Sequence, residues 1–274
     1  MHRNSGKRGR MLYHFAIPDD DDDMDSPQRM VWRSSAFTDP GRKRALNEDA
    51  LFENAELGVW AVADGMGGHK AGDVASQTIV DSLRRFRATD SLAARIDSLE
   101  SLILEANADL LHHVDRPSSK DIMGSTVALL TVFPPLAILM WAGDSRIYRL
   151  HRDRLERLTE DHTMVHELVK RGHLSEEEAE THPSANIVLR AVGGDANLKL
   201  DLEQVEIASG DRFLLCSDGL YKDVSEKRIE SLMRIPDIHE CNHRLRQAAL
   251  DGGGSDNITC ILVDFHRHDE AAGA

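Results

Sequence analysis

Short apolar runs and longer amphipathic stretches alternate along most of the chain. Five runs are rich in β-branched or apolar residues and are bounded by Gly, Asp or Pro, which is the pattern of buried strands. These predicted strands are residues 58–63, 126–133, 137–141, 212–216 and 258–265. Because the strands cluster while the helices come in pairs, the order favours an α+β fold with antiparallel sheets over a regular βαβ succession.

Four stretches predict helices from their periodicity. They are residues 73–86, 91–114, 225–233 and 238–250. In the second of them, the apolar residues fall at helical spacing: Leu99, Leu102, Ile103, Ala106, Leu110 and Val114. Residues 161–183 are polar, and we interpret them as a helix followed by a charged flap.

Hydrophobic periodicity begins only after about residue 30. Residues 1–30 start basic and then contain an acidic run, Asp19 to Asp23. We expect a solvated tail here, since contiguous carboxylates in a flexible run cannot pre-organise a metal cage. The sequence therefore predicts one folded domain over residues 31–266, followed by a short C-terminal tail over residues 267–274.

Charge and cysteine content narrow the class of protein. With 33 Lys and Arg against 47 Asp and Glu, the formal net charge is −14. We expect no nucleic-acid partner, because phosphate contacts need a basic face. The longest apolar runs are far shorter than a bilayer span, so we expect no membrane segment. Three widely spaced cysteines, no C-x-x-C pair and no signal-peptide pattern favour a reducing cytoplasm.

Two predicted strands end in the dipeptide Asp-Gly. The pairs are Asp64-Gly65 and Asp218-Gly219. Each strand would hold a carboxylate on a rigid element, and the glycine would let the backbone turn and let a ligand approach the carbonyl. A single Asp-Gly is more often an ordinary turn. Two copies on matched strands indicate a shared chemical role.

Further acidic residues lie beside other predicted strands: Glu48, Asp49, Asp144 and Asp256. Carboxylates gathered at buried strand ends repel one another and are costly to desolvate unless a cation lies among them. Oxygen ligands without adjacent His or Cys select hard ions, so we expect Mn²⁺ or Mg²⁺ rather than zinc. Such an ion should raise the melting temperature of the protein.

These acidic residues belong to a series of motifs that follow one another in order along roughly residues 31–266. The series includes Arg44-Ala-Leu-Asn47-Glu48-Asp49, Ala63-Asp64-Gly65-Met66-Gly67-Gly68-His69, Gly143-Asp144-Ser145-Arg146, Asp161-His162-Thr163, Cys216-Ser217-Asp218-Gly219-Leu220 and Ser255-Asp256-Asn257-Ile258-Thr259. It resembles the bacterial form of the metal-dependent serine/threonine protein phosphatases of the PP2C (PPM) family. The resemblance implies a four-layer αββα sandwich, in which helices flank two antiparallel sheets.

The resemblance also implies a binuclear metal centre. Asp64, the carbonyl of Gly65, Asp218 and Asp256 match the family residues that hold two divalent ions. In the family, these ions activate a water for direct attack on phosphorus, without a covalent phosphoenzyme. The cofactors implied are therefore two Mn²⁺ or Mg²⁺ ions.

Four more residues match supporting positions of the family. Arg44 matches the arginine that grips the phosphoryl oxygens, a task that suits a planar guanidinium. Glu48 and Asp49 match acids that orient metal-bound waters. Asp144 matches a position that, with Asp218, holds a weaker third ion in bacterial members. The alternative that Asp144 only caps a turn stays open at this point.

The residue after the first Asp-Gly differs from that in animal members of the family, and the expected proton donor differs with it. Those members carry a histidine directly after the first Asp-Gly, whereas this chain has Met66, as bacterial relatives commonly do. Water acidified by the cations is the substitute donor. We interpret His69 and His162 as structural residues. Asn257 is expected to position the loop of Asp256.

The implied function is hydrolysis of phosphoserine and phosphothreonine in proteins, opposing a bacterial Ser/Thr kinase. The implied partners are phosphoproteins, that kinase and secretion-system components, and we expect a monomer. The flap over residues 161–183 should influence substrate choice. A cysteine phosphatase does not fit, because neither Cys216 nor Cys241 begins a Cys-x₅-Arg motif. The alternative function is a catalytically inactive module of the same fold that binds or regulates phosphoproteins.

Overall fold

The computed structural model describes residues 30–67, 71–114 and 123–268, and within this part the chain forms two sheets and two groups of helices. The strands are β1 (Met30–Asp39), β2 (Asp49–Asn54), β3 (Val59–Met66), β4 (Gly124–Ser125), β5 (Val127–Phe133), β6 (Leu136–Ala142), β7 (Arg146–His151), β8 (Arg154–Arg157), β9 (Asp201–Glu206), β10 (Arg212–Cys216) and β11 (Ile258–Arg267). The helices are α1 (Ala71–Leu83), α2 (Leu92–Val114), α3 (Met164–Lys170), α4 (Glu176–Glu180), α5 (Asp218–Tyr221), α6 (Glu226–Met233) and α7 (Ile238–Gly252).

Every strand pair in the two sheets is antiparallel. The first sheet has the order β1-β11-β10-β7-β8, and the second has the order β2-β3-β5-β6-β9, with β4 paired to β3. Helices α1 and α2 pack on the second sheet, and α5, α6 and α7 pack on the first. The α+β class and the αββα layer order are both confirmed.

Apolar side chains fill the three spaces between the four layers. Along β3, Ala61 and Ala63 face the helices, whereas Trp60 and Val62 face the other sheet. Phe213 contributes to the same inter-sheet core. A strand buried on both faces carries apolar residues on each of them, so its sequence is a continuous apolar run. This is why the sequence pattern identified the central strands.

The apolar pattern missed all four edge strands, β1, β2, β8 and β9, and also β7. Strand β9, with the sequence DLEQVE, has no fully buried residue, and β8 is mostly exposed. An edge strand covered on one side only lacks a long apolar run, so its pairing is specified by the neighbouring strand instead. The segment over residues 161–183 contains two short helices, α3 and α4, in place of one.

The two ends of the described chain meet in the first sheet. Met30 opposes Arg267 in the register of β1 and β11, so strand pairing extends one residue beyond each predicted domain boundary. Most of both predicted tails, and His69, lie outside the described residues. None of the helices described is long and apolar enough to cross a membrane. Cys216, Cys241 and Cys260 are free and buried.

Candidate active site

The acidic residues selected from the sequence lie at one end of the sandwich, where strands of both sheets begin or end. Asp49 opens β2 and is paired in register with Asp64 near the end of β3. Asp144 follows β6, Asp218 follows β10, and Asp256 precedes β11. Antiparallel strand ends from two facing sheets thus bring together carboxylates that are up to about 200 residues apart in the sequence.

A cleft of about 290 Å³ opens at this end. Its lining contains seven of the eight predicted site residues, Arg44, Glu48, Asp64, Gly65, Asp144, Asp218 and Asp256. The eighth, Asp49, is buried beside them, with 8% of its surface exposed. Met66 and Asn257 also line the cleft. The structure therefore gathers all the predicted site residues in one place.

Backbone hydrogen bonds hold Asp64 in position. Its N–H donates to the hydroxyl of Thr126 at 3.0 Å. Its carbonyl accepts from the N–H of Thr126 at 2.9 Å and from the hydroxyl of Ser125 at 3.0 Å. Ser125 and Thr126 thus support the site from beneath.

Gly65 lies at a close approach of three chain segments. A Cβ at this position would lie 2.0 Å from the carbonyl oxygen of Gly72 and 2.5 Å from that of Glu48. The Gly65 N–H donates to the same Glu48 carbonyl at 3.1 Å, and the Ser76 hydroxyl donates to it at 2.6 Å. Only glycine fits here, so the Asp-Gly dipeptide has a steric reason beyond turn formation.

Asp49 has one satisfied and one unsatisfied oxygen. The Ser217 hydroxyl donates to Oδ2 at 2.7 Å, whereas Oδ1 is buried and has no hydrogen-bond partner among the described residues. Burial raises the pKa of Asp49 to about 7, the hydrogen bond from Ser217 opposes the rise, and the charges of Asp218 and Asp256 add to it. The unsatisfied oxygen is a ready acceptor for a water held by a cation.

The carboxylates of Asp64 and Asp144 are also unfavourably placed for negative charge. Burial and the charges of Asp49 and Asp218 raise the pKa of Asp64 well above its ordinary value. Burial and Asp218 raise the pKa of Asp144 to about 7, against the opposing effect of Lys222. This end of the sandwich therefore favours bound protons or other cations.

Two basic side chains pair with acidic residues of the cleft. The half-exposed Arg44 donates to Oδ2 of Asp256 at 2.7 Å, and this hydrogen bond raises the pKa of Arg44. Lys222 Nζ lies 2.5 Å from Oδ2 of Asp218 and donates to Oδ1 of Asn186 at 2.7 Å. Sequence reasoning missed Lys222 and Asn186. The spacing of four residues between Asp218 and Lys222 was the available signal.

The donor set fits a hard divalent cation, although it does not form a closed cage. Within residues 30–67, 71–114 and 123–268, no three His, Cys, Asp or Glu side chains converge as ligands of one ion. Arg44 and Lys222 are instead paired with Asp256 and Asp218. All the candidate donors are oxygens, burial and the charges of neighbouring carboxylates raise the pKa values of Asp49 and Asp64, and Oδ1 of Asp49 is unsatisfied.

Arg146 connects the base of the flap to the turn of Asp144 through Tyr221. Arg146 Nη2 lies 2.6 Å from Oδ2 of Asp161, and its Nε donates to both carboxylate oxygens. The same guanidinium stacks 3.6 Å from the ring centre of Tyr221, whose hydroxyl donates to the Asp144 carbonyl at 3.0 Å. The flap base, α5 and the turn of Asp144 therefore form one connected unit.

His162 has the structural role expected from the sequence. Its Nδ1 accepts from the Gly143 N–H at 3.1 Å, so the ring proton lies on Nε2, which is 3.1 Å from Oδ2 of Asp201. The ring stacks on Trp141, and burial lowers the pKa of His162. A neutral, doubly hydrogen-bonded imidazole is suited to holding the flap base in place.

The match to known sequences covers most of the chain. A sequence model of the family described as Protein phosphatase 2C matches residues 41–252. The serine/threonine phosphatase stp of Listeria innocua is 38% identical over 235 residues, which are 83% of this chain and 93% of that protein. The serine/threonine protein phosphatase PstP of Mycobacterium tuberculosis is 36% identical over 240 residues, 88% of this chain. The chain spans about half, 46%, of the length of this second relative.

Solved structures share the fold. PppA, described as a key regulatory component of T6SS in Pseudomonas aeruginosa, has a TM-score of 0.80 at 38% identity, covering 86% of this chain and 100% of that one. The catalytic domain of PstP in complex with 2 manganese ions has a TM-score of 0.78 at 36% identity, covering 87% of this chain and 100% of that one.

Proposed function

The chain belongs to the protein phosphatase 2C family, and on that basis we propose that it hydrolyses phosphoserine and phosphothreonine in proteins at a centre of two Mn²⁺ or Mg²⁺ ions. The observation that carries this proposal is the convergence of Arg44, Asp64, Asp218 and Asp256 on one cleft. An inactive binding module would have no need to retain both the phosphate-binding arginine and the three aspartates.

The acidic residues have defined tasks in this proposal. Asp64, the Gly65 carbonyl, Asp218 and Asp256 would hold the two ions, Glu48 and Asp49 would accept hydrogen bonds from their waters, and Asp144 would join Asp218 at a third ion. Bound divalent cations supply Lewis acidity and an acidified water as the nucleophile. The two manganese ions in the PstP structure support the number of ions.

Arg44 would bind and orient the phosphoryl group. Half of its side chain is exposed at the cleft, and one Nη already lies 2.7 Å from Asp256. A guanidinium presents parallel N–H donors, so Arg44 keeps donors for two phosphoryl oxygens while it contacts Asp256. Met66, which lines the same cleft, has no proton to give. The leaving oxygen would therefore be protonated by water.

Features around the cleft support a protein as the substrate. Asn186 and Val188, which follow the flap over residues 161–183 within five residues, line the cleft. Their neighbours Ile187 and Leu189 are about half exposed, as is Leu46 beside Arg44. Apolar side chains exposed on both sides of a small polar cleft are suited to contact residues that flank a phosphorylated side chain. We therefore assign the flap a part in substrate selection.

The proposed partners and location come from one structural relative and from the sequence. PppA, a structural relative, is described as a T6SS component, which supports secretion-system proteins as partners. An opposing Ser/Thr kinase, a monomeric state and a cytoplasmic location stay predictions from the sequence.

Phosphate release from a phosphothreonine peptide in Mn²⁺ tests the proposal. We expect Asp64→Asn to lower kcat/KM about 100- to 1,000-fold, because metal catalysis is worth several kcal/mol and each 1.4 kcal/mol changes a rate tenfold. Asp109→Asn, at an exposed position of α2, is the matched control and should retain full activity. Peptide binding without turnover by the wild type, unchanged by Asp64→Asn, would favour the inactive binding module.

A further inference from the structure

The end of the sandwich opposite the cleft carries a second and larger cavity, of about 910 Å³. It lies where the start of β1 and the end of β11 meet the β5–β6, β7–β8 and β9–β10 turns. Its lining includes the apolar residues Met30, Pro134, Val205 and Ile207. No residue of the candidate active site lies here, so the proposed phosphatase function does not account for this cavity.

Basic side chains dominate the charged part of the lining. They are Arg149, His151, Arg152 and Arg267, against one carboxylate, Glu206. Arg149 and His151 are both paired with the buried Asp211 beneath the cavity. In the described part of the chain, the guanidinium groups of Arg152 and Arg267 form no ion pair, and both residues are exposed. This end therefore offers unneutralised positive charge in a chain of net charge −14.

The acidic run of the N-terminal segment precedes the cavity directly in the sequence. Met30 lines the cavity, and Asp25 and Asp23 come five and seven residues before it. Residues 19–25 contain six Asp, one Met and no basic residue. An extended chain spans at most about 3.6 Å per residue, so Asp23 lies within about 25 Å of Met30. The whole lining of the cavity is therefore within reach of the acidic run.

We propose that residues 19–25 dock on this cavity in the same molecule, with their carboxylates against Arg152 and Arg267. Carboxylate and guanidinium groups match in charge and in bidentate geometry. Met24, which lies between the acidic run and Asp25, matches the apolar part of the lining at Val205 and Ile207. The carboxylates at the opposite end of the sandwich repel the same segment, so the charge distribution favours only this end.

The proposed docking has two consequences that follow from its position and chemistry. The cavity is at the far end from the cleft, so docking leaves the cleft open and turnover of a small aryl phosphate should not depend on it. Exposed ion pairs are individually weak and are screened by salt. Docking should therefore weaken strongly as the ionic strength rises.

Carbodiimide cross-linking of the full chain tests the proposal. The reagent joins a carboxylate to a nearby lysine amine and leaves arginine unchanged, so Arg152→Lys and Arg267→Lys introduce a reactive group while keeping the charge. We expect a monomeric product in which a residue from 19–25 is joined to the substituted position, identified by mass spectrometry. Its yield should fall severalfold at 1 M NaCl, where the Debye length is about 3 Å.

Two controls make the result specific. Arg244→Lys, at an exposed position of α7, should not join to residues 19–25. Replacing all six Asp of residues 19–25 by Asn in the Arg152→Lys variant should remove the product without changing the circular dichroism spectrum. Equal cross-linking at positions 152 and 244, or none at positions 152 and 267, would overturn the proposal. A product found only in dimers would also overturn it, because the segment would then dock on a second copy.

Discussion

Buried charged groups have opposite surroundings at the two ends of the sandwich: carboxylates lie beside carboxylates at the cleft, and ion pairs lie at the other end. At the cleft, Asp49, Asp64 and Asp144 lie close to further carboxylates, and burial and repulsion raise their pKa values. At the other end, Arg149 is paired with Asp211, and both side chains are nearly buried. Like charges held together favour an incoming cation and oppose folding, whereas a matched pair stabilises the fold only while both partners are present.

A second buried pair strengthens this contrast at the basic end. Arg212 Nε lies 2.5 Å from Oδ1 of Asp264, and both side chains are less than 10% exposed. Arg212 also donates to the carbonyls of Met233, Ile235 and Pro236. Here the charges and the hydrogen-bond donors are matched within the protein. At the cleft, a bound cation would have to neutralise the excess of carboxylates. Such a loss of stability at a functional site is a common compromise between stability and function.

The largest effect should come from breaking a matched pair. We expect Asp211→Asn to lower the free energy of unfolding by about 3 kcal/mol or more, because Arg149 would stay buried without a carboxylate. Urea unfolding monitored by circular dichroism measures this change. Asp109→Asn is the matched control and should change stability by less than about 0.5 kcal/mol. A loss below about 1 kcal/mol for Asp211→Asn would remove the contrast between the two ends.

A smaller effect of opposite sign should follow at the cleft. In EDTA, we expect Asp64→Asn to raise the free energy of unfolding, because it removes a carboxylate whose ionisation is opposed by burial and by the charges of Asp49 and Asp218. In saturating Mn²⁺, the wild type should gain melting temperature and Asp64→Asn should gain little. Destabilisation by Asp64→Asn in EDTA would show that its charge is already matched.

The smallest effect should be the dependence of stability on pH. Asp49 and Asp144 have pKa values of about 7 in the folded protein, against about 3.9 for an unfolded chain. Between these values the folded protein binds more protons, so stability should fall as the pH rises toward 7 and level off above it. In EDTA, we expect a loss of about 1 kcal/mol, a drop in melting temperature of about 2–4 °C, between about pH 6.8 and pH 8. A rise over this range, or an equal drop in Asp144→Asn, would contradict the assignment.

The fold could be predicted where local pattern and burial agree. The central strands β3, β5, β6, β10 and β11 are apolar on both faces, so their runs were visible in the sequence. The edge strands are specified by partners from elsewhere in the chain. Strand β1 is an example, because it pairs along its whole length with β11, more than 200 residues later.

The candidate site was predictable for a related reason. The Asp-Gly dipeptides at strand ends are local features, and they indicated Asp64 and Asp218. The resemblance of the ordered motifs to the PP2C family assigned roles to Arg44 and Asp256. Lys222 was missed although its spacing of four residues from Asp218 was a signal, and Asn186 was missed because nothing near it in the sequence shows that it meets Lys222. The same holds for Asp211, which receives Arg149 only after β7 and β10 pair.

The sequence by itself determined the class of fold, the residues of the cleft and their chemical type, because strand pattern and turn chemistry act over a few residues. The tertiary structure decided which charges are matched and which are not. Ser217 reaches Asp49 across 168 positions, and Arg44 reaches Asp256 across 212. Such contacts depend on the order of strands in each sheet and on how the two sheets pack face to face. The electrostatic potential at a carboxylate depends on the charges and dipoles that the folded chain brings within a few ångströms of it.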